Sequence, residues 1–127
     1  MTFKILVIDA QPVMRAGIIY IVKKSLKNVQ LSEAQDFYEA IALANNKRFD
    51  LIVLGAQEAN GNGIEITRIF SFLRQRFKMA KILVFSGHNP HLFKDEFINA
   101  GADAFLPKNS SVSEMDELVQ GVLRSPA

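Results

Sequence analysis

Short, almost continuous apolar runs alternate with longer helical patterns along the whole chain, and this alternation limits the fold more than any other feature. The clearest runs are Phe3 to Ile8, Leu51 to Leu54 and Lys81 to Phe85, and Val29 to Ala34 and Ala104 to Leu106 are weaker runs of the same kind. Unbroken aliphatic runs are typical of strands that are buried on both faces, as in parallel sheets. The sequence therefore predicts five parallel strands.

The segments between the runs carry residues that begin helices. Pro12 fits the first position of a helix that runs to about Leu26. Two pairs have the spacing of a capping box, Asp36 with Glu39 and Ser111 with Glu114. The first pair predicts a helix to about Asn45, and the second predicts the last helix of the chain.

Two turn-forming stretches precede further helices. Residues 60–63 read Asn-Gly-Asn-Gly and precede a predicted helix over Ile64 to Arg76. Asn89-Pro90 precedes a helix from about His91 to Ala100, and Gly101 fits the αL cap that ends it. Five βα units in this order predict an open, doubly wound parallel sheet with helices on both faces and right-handed crossovers.

Composition is that of one ordinary globular domain. The chain has 127 residues, of which 49% are hydrophobic and 22% are charged. A formal net charge of +2 is too balanced to indicate nucleic-acid binding by this domain, and the absence of cysteine excludes a disulfide framework or a thiolate metal site. Apolar runs such as Ile18 to Val22 are too short to span a bilayer, and Met1 to Ile8 lacks the regions of a signal peptide. We therefore expect a cytoplasmic protein with no membrane partner.

In a doubly wound sheet the working site lies beyond the carboxyl ends of the strands, at the point where the strand order reverses. Here that edge carries Asp9 and Ala10 after the first strand and Gly55 after the third. Ser86 follows the fourth strand and Lys108 the fifth. These five positions form the candidate site.

The segments that end at these positions resemble the receiver domain of bacterial response regulators, over essentially all 127 residues. Residues 5–12 (ILVIDAQP) resemble the family's opening strand and acidic pair, with the second acid replaced by alanine. Residues 50–55 (DLIVLG) resemble the strand that ends in the phospho-accepting aspartate, here a glycine. Residues 82–88 (ILVFSGH) resemble the strand that ends in a hydroxyl residue, and residues 101–108 (GADAFLPK) the segment that ends in a lysine.

The likeness is greatest to receivers that precede a helix-turn-helix DNA-binding domain. It implies the flavodoxin-like (βα)5 fold with strand order 2-1-3-4-5. It also implies an output domain as a partner, although no residue of this chain shows one.

The departures from the family pattern decide the predicted chemistry. Phosphoryl transfer to a receiver needs a carboxylate nucleophile and a Mg²⁺ ion held by oxygen ligands. Gly55 removes the nucleophile and one ligand, and Ala10 removes a second carboxylate, so we expect no phosphorylation, no metal and no cofactor at this edge. Glu58, in the loop after Gly55, is the one nearby carboxylate that could substitute.

The remaining polar residues have structural explanations that we favour over functional ones. Lys108 is predicted to turn towards Asp9, directly or through water, with Ser86 nearby and solvent or an anion above Gly55, because a partly buried ammonium gains from a nearby carboxylate. His88 and His91 are interpreted as surface residues and not as metal ligands. Phe105 takes the position of the family's switching aromatic, and we expect a half-buried ring without a switching role.

Helix periodicity suggests a contact surface. Spacing of 100° per residue places Met14, Ile18, Ile21, Val22 and Ser25 on one core face of the first helix, and Val112, Met115, Leu118, Val119, Val122 and Leu123 on one stripe of the last. Ile19 and Tyr20 fall off the first face, and an adjacent exposed apolar pair can mark a partner surface. The first and last helices are neighbours in this fold, so we expect a homodimer or a partner protein to contact the first helix.

The sequence leaves three alternative functions open. The first is a degenerate, non-enzymatic receiver that regulates transcription through dimerisation, a partner or a small ligand. The second is a phosphorelay receiver that uses a substitute acceptor such as Glu58. The third is an unrelated flavodoxin-like ligand-binding domain, for which Asp9-Ala10-Gln11-Pro12 offers a poor phosphate-binding loop.

Overall fold

Five strands alternate with five helices in the computed structural model, which describes residues 2–43, 47–55, 63–86, 94–107 and 110–124. The elements are β1 (Phe3–Ile8), α1 (Pro12–Ser25), β2 (Val29–Ala34), α2 (Phe37–Leu43), β3 (Leu51–Gly55), α3 (Gly63–Arg76), β4 (Lys81–Ser86), α4 (Lys94–Ala100), β5 (Ala104–Pro107) and α5 (Val112–Arg124). All five predicted strands are present, three of them one residue longer than predicted. None of the helices in the described ranges is both long and apolar enough to cross a membrane.

One parallel sheet has the strand order β2-β1-β3-β4-β5. The chain first pairs β2 with one side of β1 and then crosses to pair β3 with the other side. The order reverses at this point, so the carboxyl ends of β1 and β3 lie side by side, with Ile8 in register with Leu54. The predicted doubly wound, flavodoxin-like α/β fold is confirmed.

Both faces of the sheet are covered, which explains why its strands are apolar without alternation. All five residues of β3 are buried. One core lies between the sheet and helices α2, α3 and α4, and it includes Phe70, Leu73 and Phe97. The other lies between the sheet and helices α1 and α5, and it includes Ile18 and Val119.

Four of the predicted helix-end features are present, whereas Asn45 and His91, near which two helices were predicted to end and to begin, lie outside the described residues. Ser111 and Glu114 make the reciprocal capping box, each backbone N–H donating to the other side chain at 3.1 Å. The Asp36 carboxylate accepts a hydrogen bond of 2.8 Å from the Glu39 N–H. Gly101 follows α4 with a φ of 122°, a positive value that favours glycine. Pro12 is the first residue of α1.

Two helix residues lie differently from the prediction. Ile19 was expected off the core face of α1, but it is half-buried and packs against the core that α1 shares with α5. The prediction was wrong because α1 contacts both the sheet and α5, which widens its buried face. Val112 was expected on the buried stripe of α5, but it is 52% exposed because it is the first residue of the helix, at the rim of the sheet.

Candidate functional site

The carboxyl edge of the sheet brings most of the candidate positions together. Asp9 directly follows β1, and Gly55 is the last residue of the neighbouring β3. Ser86 ends β4, where its backbone is in register with Pro107 of β5. Ala10 follows Asp9 and is exposed. Lys108 lies outside the described residues, so the predicted contact between Lys108 and Asp9 stays a prediction.

Three further candidate residues also lie outside the described residues. Glu58 belongs to the segment that follows β3 in the sequence, and His88 and His91 belong to the segment that follows β4. The described part of the chain contains no group of three or more His, Cys, Asp or Glu side chains that could hold a metal ion.

Asp9 is the buried charged residue of the described chain, with a relative exposure of 0%. Its Oδ1 accepts a hydrogen bond of 2.9 Å from the backbone N–H of Gln11, just before α1. Its own N–H donates to the Ala34 carbonyl at the end of β2, at 3.1 Å. These bonds hold the residue between the ends of two strands and the start of a helix.

The Asp9 carboxylate lies where a side chain at residue 55 would begin. A Cβ built on Gly55 would lie 2.5 Å from Asp9 Oδ2 and 3.1 Å from Asp9 Cγ. It would also lie 3.4 Å from the carbonyl oxygen of Ile8. The shortest of these distances is well inside van der Waals contact, so any side chain at position 55 requires Asp9 to move.

Arg15 links the end of β1 to β2 at this edge, and it was not among the residues predicted from the sequence. Its Nη1 donates to the backbone carbonyl of Asp9 at 2.6 Å, and its Nε donates to Glu33 Oε1 at 3.2 Å. The Arg15 side chain is 17% exposed and that of Glu33 is 52% exposed. The signal in the sequence is faint, since an arginine one turn into a helix is common. Its contacts indicate a positioning role for the β1 end and not a chemical one.

The donor set does not fit the Mg²⁺ that the family resemblance implies. Mg²⁺ requires several oxygen ligands in near-octahedral geometry. Ala10 and Gly55 have no side-chain oxygen, and the remaining carboxylate, Asp9, is fully buried with Oδ1 bonded to the Gln11 N–H. The side chains described at this edge therefore supply too few oxygen ligands for Mg²⁺.

Phe105 and Tyr20 mark two other predicted positions. Phe105 is half-buried and packs against Phe97, with ring centroids 5.8 Å apart and planes inclined by 35°. The half-buried position that we expected is thus confirmed, while its switching role is untested. Tyr20 is 55% exposed on α1, with Lys24 Nζ 5.6 Å from its ring centroid.

The chain is similar to known proteins over most of its length. The model of the response regulator receiver domain matches residues 5–120. The transcriptional activator protein ExaE of Pseudomonas putida is 28% identical over 123 residues, which are 97% of this chain and 56% of that protein. The chain spans about half the length of the curated relatives it matches.

Solved structures show the same fold. A response regulator from Burkholderia pseudomallei, solved with a phosphorylated aspartic acid, calcium ion and citrate, matches with a TM-score of 0.73 and 22% identity, covering 98% of this chain and 76% of that one. A LuxR family DNA-binding response regulator from Silicibacter pomeroyi matches with a TM-score of 0.78 and 22% identity, covering 95% and 91%. At these identities the likeness concerns the fold alone.

Proposed function

The chain belongs to the response regulator receiver domain family, and on that premise we propose that it is a degenerate, non-enzymatic receiver in the control of transcription. Its state is set by dimerisation, by a partner protein or by a small ligand, and not by phosphorylation of an aspartate. The observation that carries this proposal is the Asp9 carboxylate in the space beside Gly55 that an acceptor side chain would need.

The chemistry of the edge supports the proposal. Phosphoryl transfer needs a nucleophile that the donor can approach in line, together with positive charge on the transferring oxygens. Gly55 supplies no nucleophile. Asp9 cannot replace it, because its side chain is fully buried and Oδ1 already accepts the Gln11 N–H. Ala10 leaves the cation without its second carboxylate.

Intact-mass measurement tests the proposal directly. The domain is incubated with acetyl phosphate and Mg²⁺, beside the Burkholderia pseudomallei response regulator that was solved with a phosphorylated aspartic acid. We expect that protein to gain about 80 Da, the mass of a phosphoryl group, and this chain to gain nothing. A gain of that size on a side chain of this edge would overturn the proposal.

The phosphorelay alternative is distinguished in the same experiment. Glu58 is the substitute acceptor that the sequence offers, so a mass gain that disappears in Glu58→Gln would establish that alternative. The third interpretation, an unrelated flavodoxin-like domain, is wrong because the family match covers residues 5–120.

A DNA-binding output domain is the partner that the relatives suggest. ExaE is named a transcriptional activator, and this chain covers 56% of its length. The structural relative from Silicibacter pomeroyi is named a DNA-binding response regulator. We propose that this chain acts with such a domain. A reading frame that continues past Ala127 into a helix-turn-helix segment would support this, and a stop codon there would contradict a covalent output domain.

The surface for a second copy lies on α1. Val13 and Tyr20 are 82% and 55% exposed, and a spacing of seven residues places them on the same side of the helix. Ala16 and Gly17 lie between them and are also exposed. This face is apolar, and its small residues Ala16 and Gly17 would allow a second helix to approach closely. Both features support the predicted homodimer contact at Tyr20. Ile19 does not lie on this face, because it packs against the core on the inner side of α1.

A further inference from the structure

Two adjoining cavities lie at the amino-terminal edge of the sheet, opposite the carboxyl edge that carries Asp9 and Gly55. Their volumes are about 420 Å³ and 390 Å³. Both are lined by Lys4 and by residues 47–49, which precede β3. The larger cavity is closed by residues 75–79, which include the end of α3 and the turn that follows it, and the smaller by residues 30–32 of β2. We call the two cavities together the basic groove.

Positive charge is concentrated in this groove. Its lining contains five cationic side chains and one carboxylate: Lys4, Lys47, Arg48, Arg76 and Lys78, with Asp50. Five positive charges less one negative charge give a formal +4, whereas the whole chain carries +2, so the rest of the chain carries −2. All five cationic residues are exposed, and within the described ranges none of them forms an ion pair.

The groove has a fixed floor. The Lys4 N–H donates to Asp50 Oδ2 at 2.8 Å, and the Asp50 N–H donates back to the Lys4 carbonyl at 2.7 Å. The Lys81 N–H donates to the Asp50 carbonyl at 3.0 Å, so the starts of β1, β3 and β4 are joined. Phe49 and Phe77 pack beneath with ring centroids 5.3 Å apart. The backbone beneath the charge cluster is therefore fixed, so binding of a ligand has to order the exposed side chains but not the backbone.

Size and lining select the class of ligand. Cavities of this volume suit a small molecule and are too small to enclose a nucleic-acid duplex. The aromatic rings in the lining, Phe49 and Phe77, are only 7% and 4% exposed, so they offer no platform on which a base could stack. Arginine and lysine groups are the usual ligands of phosphate oxygens.

We propose that the basic groove binds a compact anion that carries two or more phosphate groups and no stacked base. This site would be independent of the edge that contains Asp9 and Gly55. It goes beyond the proposed function, because a receiver that is phosphorylated at the other edge could also have it.

Titration of the intact chain with sodium pyrophosphate and sodium tripolyphosphate tests the proposal, with inorganic phosphate and a short DNA duplex as comparison ligands. We expect saturable binding of tripolyphosphate with a dissociation constant below about 1 mM in calorimetry at low salt. Amide chemical shifts should change at residues 47–50 and 75–79 and not at Asp9 or Gly55. Inorganic phosphate should bind more weakly.

Matched double variants separate a site from general attraction to a basic protein. Arg48→Ala with Lys78→Ala removes two groove cations, and Lys23→Ala with Lys94→Ala removes two exposed cations elsewhere. The first pair should weaken tripolyphosphate binding by about tenfold, since charge-assisted contacts are lost, and the second by less than about twofold. Equal losses in both pairs, an absence of saturation, shifts confined to other residues, or tighter binding of the duplex than of tripolyphosphate would overturn the proposal.

Discussion

Asp9 and Gly55 occupy one space at the carboxyl edge of the sheet, with Asp9 Oδ2 only 2.5 Å from the position of a Cβ at residue 55. Asp9 is fully buried, and its carboxylate, backbone N–H and backbone carbonyl are bonded to Gln11, Ala34 and Arg15. The loss of a side chain at position 55 and the inward position of Asp9 are therefore coupled. A side chain introduced at position 55 therefore requires the Asp9 carboxylate to shift from its present position.

The first prediction is that this coupling appears in the free energy of unfolding. Gly55→Ala places a Cβ against the Asp9 carboxylate and should lower the free energy of unfolding by about 1–3 kcal/mol, the usual cost of overpacking. In an Asp9→Ala background the contacts with Oδ2 and Cγ disappear, so the same change should cost much less. Urea unfolding of the four proteins gives the coupling free energy.

Gly121→Ala is the matched control, because a Cβ at this position of α5 meets nothing within 4 Å. It should raise stability by up to about 1 kcal/mol, since alanine favours helix over glycine. Equal costs of Gly55→Ala with and without Asp9 would contradict the coupling.

Much of this fold was predictable because its determinants are local. Buried parallel strands are marked by unbroken apolar runs, and the capping pair of Ser111 and Glu114 is visible from its spacing. The direction of the Asp9 side chain was not predictable, because it depends on residue 55, which is distant in the sequence and lies at the end of the neighbouring strand β3. The burial of Ile19 was missed for a similar reason: α5, far along the chain, widens the buried face of α1.

A second prediction concerns Arg74, which joins three segments. Its guanidinium donates to the Ala80 carbonyl at 2.6 Å, the Gly101 carbonyl at 2.5 Å and Asp103 Oδ2 at 2.8 Å. Asp103 Oδ2 also accepts the Ile82 N–H at 2.8 Å. Arg74→Ala should cost about 2–3 kcal/mol, because it leaves acceptors unsatisfied at a partly buried site. Thermal and urea unfolding measure the loss.

Arg74→Lys should recover little of that loss, because an ammonium cannot reach three acceptors in the geometry of a planar guanidinium. Gln75→Ala, at the next and exposed position of α3, serves as the control and should change stability by less than about 0.5 kcal/mol. If Arg74→Ala lowered the free energy of unfolding by as little as Gln75→Ala, the three hydrogen bonds would make no net contribution to stability.

Assembly through α1 is the third prediction. Tyr20→Glu places a charge on the exposed face that Tyr20 shares with Val13, and it should convert a dimer into a monomer because burial of a carboxylate in an apolar interface is costly. Sedimentation velocity at matched concentrations measures the change. Tyr38→Glu on α2 is the control, since Tyr38 is 79% exposed on the other side of the sheet. Wild-type and Tyr20→Glu chains that sediment alike would contradict the interface.

The fourth prediction is a pH dependence at the start of α5. Hydrogen bonds from the Ser111 backbone and then from its side chain hold the pKa of Glu114 below its ordinary value. A lowered folded-state pKa means that the stabilisation is present above the unfolded-state pKa and is lost as pH falls through the folded-state pKa. Wild type should therefore lose stability below about pH 4.3, the ordinary glutamate range, more steeply than Glu114→Gln. Parallel pH slopes for the two proteins would contradict this.

The last prediction concerns the carboxylates that are missing from the carboxyl edge of the sheet. Ala10→Asp with Gly55→Asp supplies the two missing carboxylates, and like charges beside buried Asp9 should make this double variant less stable than Ala10→Asn with Gly55→Asn, which adds side chains of similar size without charge. Mg²⁺ should reverse the difference, because a ligand that binds the folded state at ten times its dissociation constant stabilises it by about 1.4 kcal/mol. Thermal unfolding with and without Mg²⁺ measures both effects. Mg²⁺ should leave the wild type and the Asn variant unchanged. Stabilisation of the wild type by Mg²⁺, abolished by Asp9→Asn, would show instead that the natural edge already holds the ion.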